Sequence, residues 1–324
     1  MRIVIIGATG HIGGYLVPRL AEAGHEVVAL SRSGKPRYRN HPAWAGVETV
    51  NADREAEDAA GTFGSRIAAL SPDVVVDLVC FTPESARQLI DAIRGRVRLL
   101  VMCSTIWVHG ATTAVPTDED EDLEPWGDYG TGKLAIERLL AEESARPDGL
   151  RSLSLRPGHI SGPGWPIIKP AGNLDPGVWQ RLAGGERVVL PGFGLETLHH
   201  VHADDVAQAF QLAIEKGATD AGAELAGRAY HVTSERALTL RGFAEAAAGW
   251  FGRPARLEYA PWDEFAAAVG ADNAATTLEH VSRSPASSIA RARVELGYTP
   301  RYTSLEAARE ALDWLIANGR VRVP

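Results

Sequence analysis

Cysteine is scarce in this chain, and the scarcity limits what disulfides can do. The 324 residues include two cysteines, Cys80 and Cys103, and both lie in apolar, strand-like runs. We therefore predict two buried free thiols rather than a disulfide. The sequence also has no apolar run of about 18 residues, the length that crosses a bilayer. Because a strand-like run begins at residue 2, we expect no signal peptide and a cytoplasmic protein without membrane contact.

An excess of positive charge is missing as well. Lysine and arginine number 33 against 41 aspartates and glutamates, which gives a formal net charge of −8. Binding to nucleic acid phosphates needs a basic surface, so we predict no nucleic-acid partner. Apolar residues make up 45% of the chain and charged residues 23%, which is typical of a globular protein. The length suits one large domain that carries a smaller lobe.

The first half of the chain alternates short apolar runs with amphipathic stretches. The apolar runs are continuous rather than alternating, which indicates strands covered on both faces. Strands that alternate with helices predict βαβ units and a parallel sheet. The predicted strands are 2–6, 26–30, 74–79 and 97–102, and the predicted helices are 11–23, 84–94, 239–251 and 304–317.

The predicted fold class is α/β, a Rossmann-type doubly wound parallel sheet with a smaller C-terminal substrate-binding lobe. Residues 1–156 form the predicted dinucleotide-binding domain, with a later contribution from about 197–235. A Gly- and Pro-rich stretch from residue 157 marks the exit from the sheet. Residues 157–324 then form mainly the substrate-binding lobe.

Three glycines, Gly7, Gly10 and Gly13, lie between the first predicted strand and the first predicted helix. This spacing permits a tight turn, a close approach to a pyrophosphate, and an anion at the helix N-terminus. The alternative is that the glycines serve a tight turn only. We predict a nicotinamide dinucleotide as cofactor, with first contacts at Gly7, Thr9, Gly10, His11, Ile12 and Gly13.

The end of the second strand bears on the choice between NAD and NADP. An acidic residue there binds the ribose hydroxyls of NAD, but this chain has Ser31 and Arg32, followed by Lys35, Arg37 and Arg39. A hydroxyl and a guanidinium suit a 2′-phosphate. We therefore predict NADP with contacts at Ser31 and Arg32, and NAD as the alternative. The basic residues also fit a solvated loop.

Tyr129 and Lys133 are four residues apart and therefore share one face of a helix. A free phenol has a pKa of about 10, and a nearby ammonium favours the phenolate. Such a pair can exchange a hydroxyl proton while a hydride moves between carbon and cofactor. Thr105, at the end of a predicted strand, is our choice for the hydroxyl that binds the substrate oxygen, and Ser104 is the alternate.

Taken together, these motifs resemble the extended short-chain dehydrogenase/reductase family, also called the NAD-dependent epimerase/dehydratase family. The resemblance implies that Asp53 contacts the adenine and that Thr105, Tyr129 and Lys133 form the catalytic set. It also implies that residues 156–160 pass the nicotinamide, which adds Pro157 and His159 to the cofactor contacts. The other predicted contacts at this end are Ser104, Tyr129 and Lys133. The matching motifs are GATGHIGG (7–14), NAD (51–53), CSTIWVHG (103–110), YGTGK (129–133), LRPGHISGPG (155–164), VHADDVAQA (201–209) and ELGYTPRYTSLEAAREALDWL (295–315).

Departures from the family pattern narrow the chemistry. Ile106 and Trp107 stand where dehydratases have an Asp-Glu pair, and Trp107 stands where decarboxylating relatives have a Glu. Both activities are therefore disfavoured. His159 replaces a common Asn, and Leu198 aligns with an Arg that often grips the sugar-nucleotide pyrophosphate. The predicted substrate contacts are Trp107, His159, Trp165, Asn173, His200 and Arg283, with Arg283 or His280 as a substitute charge.

The histidines of the 199–202 segment invite a metal interpretation, because His200 and His202 share a strand face. No cysteine or further histidine lies nearby in sequence, so we favour a pocket or structural role and predict no metal. Asp204 and Asp205 are expected to cap the helix that follows.

The leading functional hypothesis is an NAD(P)-dependent oxidoreductase that acts as an epimerase on a sugar or sugar-nucleotide hydroxyl carbon, through a transient ketone. The alternative is an NADPH-dependent ketone reductase or alcohol dehydrogenase with net redox. An alternative of another class is a non-catalytic relative that senses dinucleotides or binds RNA. The expected partners are a small-molecule substrate, sugar-like or nucleotide-linked, and a second copy of the chain in a homodimer.

Overall fold

The computed structural model describes residues 1–32 and 39–323, so Lys35 and Arg37 of the predicted phosphate site lie outside the described residues. The strands are β1 (Arg2–Ile6), β2 (Glu26–Ser31), β3 (Glu48–Asn51), β4 (Val74–Asp77), β5 (Leu99–Cys103), β6 (Ser152–Pro157), β7 (His159–Ser161), β8 (Arg187–Pro191), β9 (Thr197–Leu198), β10 (His200–His202), β11 (Ala229–Val232), β12 (Leu238–Thr239) and β13 (Arg256–Ala260).

The α-helices are α1 (Gly13–Glu22), α2 (Arg54–Ala59), α3 (Phe63–Ala69), α4 (Pro83–Ile93), α5 (Gly127–Ser144), α6 (Gly177–Gly184), α7 (Ala203–Gly217), α8 (Leu240–Trp250), α9 (Trp262–Val269), α10 (Ala271–Val281) and α11 (Ser304–Ala317). The shorter helices are 3-10 turns at Pro42–Gly46, Ile106–Val108 and Ala221–Leu225, and a π-helix at Ala292–Leu296.

Seven strands form one sheet in the order β11-β6-β5-β4-β1-β2-β3, and every pairing in it is parallel. The predicted α/β class and doubly wound parallel sheet are confirmed. The chain reverses its direction of winding between β1 and β4. Open sheets of this type bind ligands at the carboxyl ends of the strands beside such a reversal.

Helices cover both faces of the sheet, as the continuous apolar strands require. On one face, Leu16 of α1 and Phe210 of α7 pack in a core with Ile3 and Ile5 of β1. The other face packs against α3, α4 and α5 in a second core. The central strands are therefore fully buried and hold the residues at their ends in fixed positions.

The remaining chain forms a smaller lobe with its own core, in which Trp179 of α6 and Phe243 of α8 are fully buried. Its short strands pair as β8 with β13, β9 with β12, and β7 with β10. The β7–β10 pair is parallel and places His159 opposite His200. This lobe stands over the carboxyl end of β6, since β7 follows that strand after Gly158.

Several local predictions can be compared with the structure. Helix α11 has its predicted bounds, and Thr303 and Glu306 form a capping box at its start. The prediction that Asp204 and Asp205 cap α7 is wrong. The cap is His202, whose Nδ1 accepts the Asp204 N–H at 3.0 Å, so the helix begins at Ala203.

The two aspartates serve other contacts because they lie inside the first turn of α7. Asp204 binds Arg19 at 2.9 Å, and Asp205 accepts backbone N–H groups of Arg301 and Tyr302. Both cysteines are free and buried, as predicted. None of the helices in the described chain is long and apolar enough to cross a membrane.

Candidate active site

The turn between β1 and α1 has the backbone that a pyrophosphate needs. Gly7 has φ +85°, in the left-handed region that favours glycine. A Cβ on Gly13 would lie 2.2 Å from the Ala8 carbonyl oxygen, and one on Gly10 would lie 3.2 Å from that of Gly7. The N-terminal end of an α-helix carries a partial positive charge, which favours an anion at this end of α1. The loop therefore fits a dinucleotide phosphate, and side chains at these positions would fill its cradle.

The two residues after the second glycine lie outside α1, although the sequence predicted a helix from residue 11. His11 is buried and stacks on Trp165 with ring centroids 5.0 Å apart. Burial is the main cause and the neighbouring His202 the second cause that lower the pKa of His11 to about 3. A neutral ring therefore covers the phosphate loop, and Trp165 belongs to this cofactor side of the site.

The residues predicted to contact the adenosine end lie at the ends of β2 and β3. Ser31 is the last residue of β2, and Arg32 after it is exposed. Asp53 is exposed and caps α2, since its Oδ1 accepts the Ala56 N–H at 3.2 Å. Arg39 lies elsewhere, with its guanidinium carbon 4.8 Å from the centre of the Tyr15 ring.

The predicted catalytic residues meet at the carboxyl end of β5. Thr105 begins the 3-10 turn after this strand, and its Oγ accepts the Trp107 N–H at 3.2 Å. This hydroxyl lies close enough to the phenol of Tyr129 to lower its pKa. Tyr129 lies in the first turn of α5 and keeps 42% of its surface exposed, while Thr105 is buried. The Tyr129 ring is thus partly exposed, and the buried hydroxyl of Thr105 lies beside it.

Lys133 lies one turn further along α5 and is almost fully buried. Its Nζ donates to the carbonyl oxygens of Cys80 and Cys103, each at 2.7 Å. The ammonium lies 4.8 Å from the centre of the Phe81 ring and 5.8 Å from that of Tyr129. The ends of β4 and β5 therefore hold the ammonium beneath the phenol.

The protein alone does not activate the phenol. Burial is the main cause and Cys103 a second cause that raise the pKa of Tyr129 to about 12, and the neighbouring Thr105 hydroxyl opposes this shift. That Lys133, together with the positive nicotinamide ring of an oxidised cofactor, favours the phenolate stays a prediction. Tyr129 holds its proton at neutral pH in this state.

Two glycines inside α5 explain how its first turn comes so close to the strand ends. A Cβ on Gly130 would lie 2.4 Å from the Trp107 carbonyl oxygen, and one on Gly132 would lie 3.1 Å from that of Phe81. Glycine inside a helix costs about 1 kcal/mol relative to alanine. Sequence reasoning took this motif only as Tyr and Lys, yet the two helical glycines signalled the close contact.

A buried ionic network lies behind the catalytic residues, and sequence reasoning missed it. Arg156 of β6 donates to both carboxylate oxygens of Glu137, which lies one turn beyond Lys133 on α5. Arg156 also donates to the Glu119 carbonyl at 2.5 Å and contacts His109, whose Nε2 is 2.7 Å from that of His231. This network ties α5, β6 and the turn after β5 together.

Aromatic rings continue the site from Tyr129 into the lobe. Trp107 meets Tyr129 edge-on at 5.8 Å and His280 of α10 at 5.3 Å between ring centroids. His280 is 5.5 Å from His159, which is 5.8 Å from His200. The structure thus brings together three of the residues predicted for the substrate. His280, which the sequence analysis named only as a substitute for the missing arginine charge, lies in the same row of rings.

Two other predicted substrate residues have their polar groups engaged. The Asn173 amide donates to Thr277 at 3.1 Å and accepts the Asp175 N–H at 3.0 Å, and the side chain is fully buried. Arg283 is clamped between Trp107 and Trp126, with its guanidinium carbon 4.5 and 4.2 Å from the two ring centres. The Asn173 amide is therefore engaged, and of the Arg283 guanidinium only Nε lacks an acceptor.

The remaining histidines of the 199–202 segment have structural partners. His199 accepts the Ser287 N–H and lies 2.9 Å from the Ser234 carbonyl, and His202 stacks on Tyr302. Across residues 1–32 and 39–323, no group of three or more His, Cys, Asp or Glu side chains is placed to hold a metal ion. Leu198, which aligns with the pyrophosphate-binding arginine of relatives, is fully buried in the lobe core.

The parallel sheet, the glycine loop at its switch point, and the Thr105–Tyr129–Lys133 set define a dinucleotide-dependent enzyme of the Rossmann class. Comparison of the sequence with known families is consistent with this definition: the pattern of the NAD dependent epimerase/dehydratase family matches residues 3–230. The chain belongs to this family, which confirms the resemblance seen in its motifs.

Individual relatives differ in what their names say they do. The chain is 31% identical to a 2′-dehydrokanamycin reductase of Streptomyces kanamyceticus over 64% of this chain and 56% of that protein. It is 25% identical to a chloroplast stem-loop binding protein of Arabidopsis thaliana over 80% and 66%. A UDP-glucose 4-epimerase of Corynebacterium glutamicum is 26% identical over 96% and 94%. The matches therefore span less than two thirds of the first two relatives.

The fold is also found in a solved structure of UDP-glucose 4-epimerase from Thermotoga maritima, with UDP-glucose. That structure has a TM-score of 0.73 and 23% identity, and the match covers 98% of this chain and 99% of that one. At this identity the likeness supports the fold alone, which agrees with the sheet order described above.

Proposed function

We propose that the protein is an epimerase-type oxidoreductase that removes and restores the hydrogen of a sugar hydroxyl carbon, with NADP as its bound cofactor. The observation that carries the proposal is the position of Tyr129, which stays 42% exposed beside the buried Thr105, one helical turn from the anchored Lys133.

Each residue of the set has a distinct task in this reaction. A bound nicotinamide dinucleotide supplies the hydride acceptor and donor. The Thr105 hydroxyl orients the substrate oxygen, and the Tyr129 oxygen takes or returns its proton. Because burial keeps the pKa of Tyr129 high, the phenol is a proton donor until positive charge is added beside it. Lys133 donates to two backbone carbonyls, so its ammonium stays fixed while the proton moves.

The choice of NADP rests on the end of β2. Ser31 and the exposed Arg32 stand where a carboxylate would repel a 2′-phosphate. A guanidinium binds a phosphate through charge-assisted hydrogen bonds. Relatives named as UDP-glucose 4-epimerases support the reaction type, and the substrate proposed on that basis is a sugar or nucleotide sugar.

The test combines cofactor binding with turnover. The full-length protein is titrated with NADP and NAD, and NADP should bind more tightly. Purified enzyme is then incubated with candidate sugars in deuterated water. An epimerase equilibrates two stereoisomers without net consumption of cofactor, and Tyr129→Phe should slow this by about 10² to 10⁴-fold. Turnover that survives this substitution would contradict the proposal.

A net reductase is the second candidate, and Arg32 favours it because NADPH is the usual reductant for ketones. The name of the 2′-dehydrokanamycin reductase fits the same direction. The two candidates separate in one assay: a reductase consumes one NADPH for each ketone, whereas an epimerase consumes none.

The non-catalytic alternative, a dinucleotide sensor or RNA-binding protein, has a relative in the chloroplast stem-loop binding protein. The net charge of −8 opposes RNA binding, and a pure binder has no need of Tyr129. If Tyr129→Phe changed no measurable property while RNA bound tightly, this alternative would replace the enzymatic one. The domain division, the cytoplasmic location and a homodimer stay predictions.

A further inference from the structure

Three histidines of the lobe form a wall that continues from the proposed catalytic tyrosine. His159 and His200 stand opposite each other on the paired strands β7 and β10, and His280 comes from α10. Their ring centroids are 5.8 and 5.5 Å apart along the row 200–159–280, and His280 meets the ring of Trp107. Because Trp107 also meets Tyr129, the row begins beside the reacting phenol.

Several nitrogens in this row lack a hydrogen-bond partner. Both ring nitrogens of His159 and Nε2 of His200 are shielded from solvent and bond to no described atom. The carbonyls of His199 and His159 lie near these rings and raise their pKa values, but neither makes a hydrogen bond of adequate geometry. A buried polar group without a partner is costly, so a hydroxyl that bonded to these nitrogens would remove that cost.

The hydrogen bonds that do exist fix part of the proton arrangement. Nδ1 of His280 lies 2.6 Å from the Thr276 carbonyl, which only accepts, so Nδ1 carries the proton and Nε2 keeps a lone pair. Nδ1 of His200 lies 2.8 Å from the hydroxyl of Ser161, and its Nε2 remains open. The row therefore offers both lone pairs and N–H groups.

All three rings are uncharged at neutral pH. Burial is the main cause: it lowers the pKa of His200 to about 3, that of His159 well below its usual range, and that of His280 to a smaller extent. A neutral imidazole has one donor and one acceptor. A hydroxyl group also donates and accepts, so it matches such a ring, whereas an ionised phosphate or carboxylate only accepts.

Two buried cations of the lobe, Arg283 and Lys169, already have acceptors. Arg283 donates to the carbonyls of Glu279 and Trp126, each at 2.9 Å, and two indole rings enclose it, which leaves its Nε as one open N–H. Lys169 is buried and donates to the Leu174 carbonyl at 2.8 Å. Arg283 therefore acts as a link between the lobe and the start of α5 more than as a clamp for an anion.

We infer that His159, His200 and His280 form a hydroxyl-binding cradle for an uncharged polyol ring, a sugar or cyclitol without phosphate or carboxylate at this end, whose reacting carbon lies at Tyr129. The indole of Trp107 covers an apolar C–H face of such a ring while the imidazoles bind its hydroxyls. The inference rests on the proposed function for the position of the reacting carbon, but the cradle itself is a statement about binding.

The test is ligand binding to the full-length protein loaded with NADP. Saturation-transfer NMR is recorded with methyl glucoside and myo-inositol as uncharged probes, and with glucuronate and glucose 6-phosphate as charged ones. The uncharged probes should bind more tightly than glucuronate and glucose 6-phosphate. If neither uncharged probe binds, or if the charged groups strengthen binding through Arg283, the inference is overturned.

Variants separate hydrogen bonding from packing. His159→Phe keeps a ring but removes both nitrogens, and it should weaken polyol binding by about tenfold, the value of one lost hydrogen bond in a dry site. His159→Asn restores a donor and an acceptor and should recover most of the affinity. His280→Phe is the second variant, away from the nicotinamide, and the exposed His25→Gln is the control. Equal affinities of the wild type and both Phe variants would refute the cradle.

Failure of the cradle and failure of the proposed function give different results. Tyr129→Phe should retain polyol binding while it loses hydride transfer, which supports both. Polyol binding through the histidines without any hydride transfer would refute the function alone. Hydride transfer that depends on Tyr129 but has the same KM in His159→Phe and His280→Phe would refute the cradle alone.

Discussion

The sheet and the lobe build their parts of the site in different ways. At the sheet, the glycine loop, Thr105 and the Tyr129–Lys133 pair each follow directly from one strand or one helix turn. In the lobe, the wall is assembled from β7, β10 and α10, whose histidines are separated by up to 121 positions, from His159 to His280. Under the proposed function, the sheet would hold the reacting groups and the lobe would select the substrate.

The two regions also treat polar groups differently. Behind Tyr129 the buried charges are paired, as Arg156 is with Glu137, and the ammonium of Lys133 has two acceptors. In the lobe, the buried polar groups beside the crevice are neutral imidazoles with open nitrogens. A region with satisfied polar groups is rigid, and a region with open ones is prepared for a ligand. Four predictions sharpen or break this comparison, from the largest effect to the smallest.

Acid should destabilise the protein through its buried histidines. The pKa values of His199, His200 and His202 are about 4, 3 and 4, below the value of 6.5 expected in the unfolded chain. The unfolded state therefore binds more protons as the pH falls from 6.5 to about 4, and stability is lost across that window. Each histidine contributes about 1.4 kcal/mol per pH unit. Urea unfolding followed by tryptophan fluorescence between pH 7.5 and 4.5 measures the slope.

A variant tests whether the slope comes from these side chains. His199→Asn should reduce the pH dependence by one histidine, while the partly exposed His41→Gln should leave it unchanged. A flat stability curve from pH 6.5 to 4.5 in the wild type would show that the rings are charged or exposed, and the contrast between the two regions would disappear.

Glu137→Gln should destabilise the sheet region by about 3 to 5 kcal/mol, because it leaves the buried Arg156 without its counter-charge. The exposed pair Arg309–Asp313 offers a matched control, and Asp313→Asn should cost less than about 1 kcal/mol. Chemical denaturation gives both values. Equal losses in the two variants would mean that the network behind Tyr129 is not dry.

Gly130→Ala should lower kcat by about 10²-fold, because the added methyl meets the Trp107 carbonyl and pushes Tyr129 out of position. Gly249→Ala is the control. Gly249 lies in α8, and no atom lies within 4 Å of an added Cβ, so alanine there should stabilise the protein by about 0.5 to 1 kcal/mol. Turnover and thermal unfolding are measured for both, and full activity in Gly130→Ala would show that the close approach is dispensable.

Arg32→Ala should weaken NADP binding by about tenfold, the value of one charge-assisted hydrogen bond, and leave NAD binding unchanged. Arg39→Ala is the matched control because its guanidinium lies over the Tyr15 ring. Calorimetric titration with both dinucleotides gives the comparison. An equal loss for NAD and NADP would point to general charge rather than to recognition of the 2′-phosphate.

The sheet and its loops could be predicted because their signals are local. A β-branched run, three glycines and a following amphipathic helix specify one turn, and Tyr129 and Lys133 share a face through helical spacing alone. The start of α7 was misjudged because aspartate is a commoner cap than histidine, and only the contacts of Asp205 with residues 301 and 302 explain its place inside the helix.

The lobe side of the site was only partly predictable, because its contacts join residues that are far apart in the sequence. His159 and His200 were named from the resemblance to the family and from strand periodicity, but their pairing depends on the register of β7 with β10. Asn173 and Arg283 carry suitable groups, yet Thr277, Trp107 and Trp126 engage those groups from more than 100 positions away. Pairwise spacing in the sequence contains no information about such partners.

The position of β11 affects how the chain folds and how it can be divided. This strand pairs with β6 only after the chain has passed through much of the lobe and through α7, which covers one face of the sheet. A fragment that ends at Pro157 would leave the hydrogen-bonding edge of β6 bare and the apolar face under α7 uncovered. Such an edge templates association between copies. The fragment should therefore aggregate when expressed alone. Because β11 is synthesised late, most of the chain must leave the ribosome before the sheet can be completed.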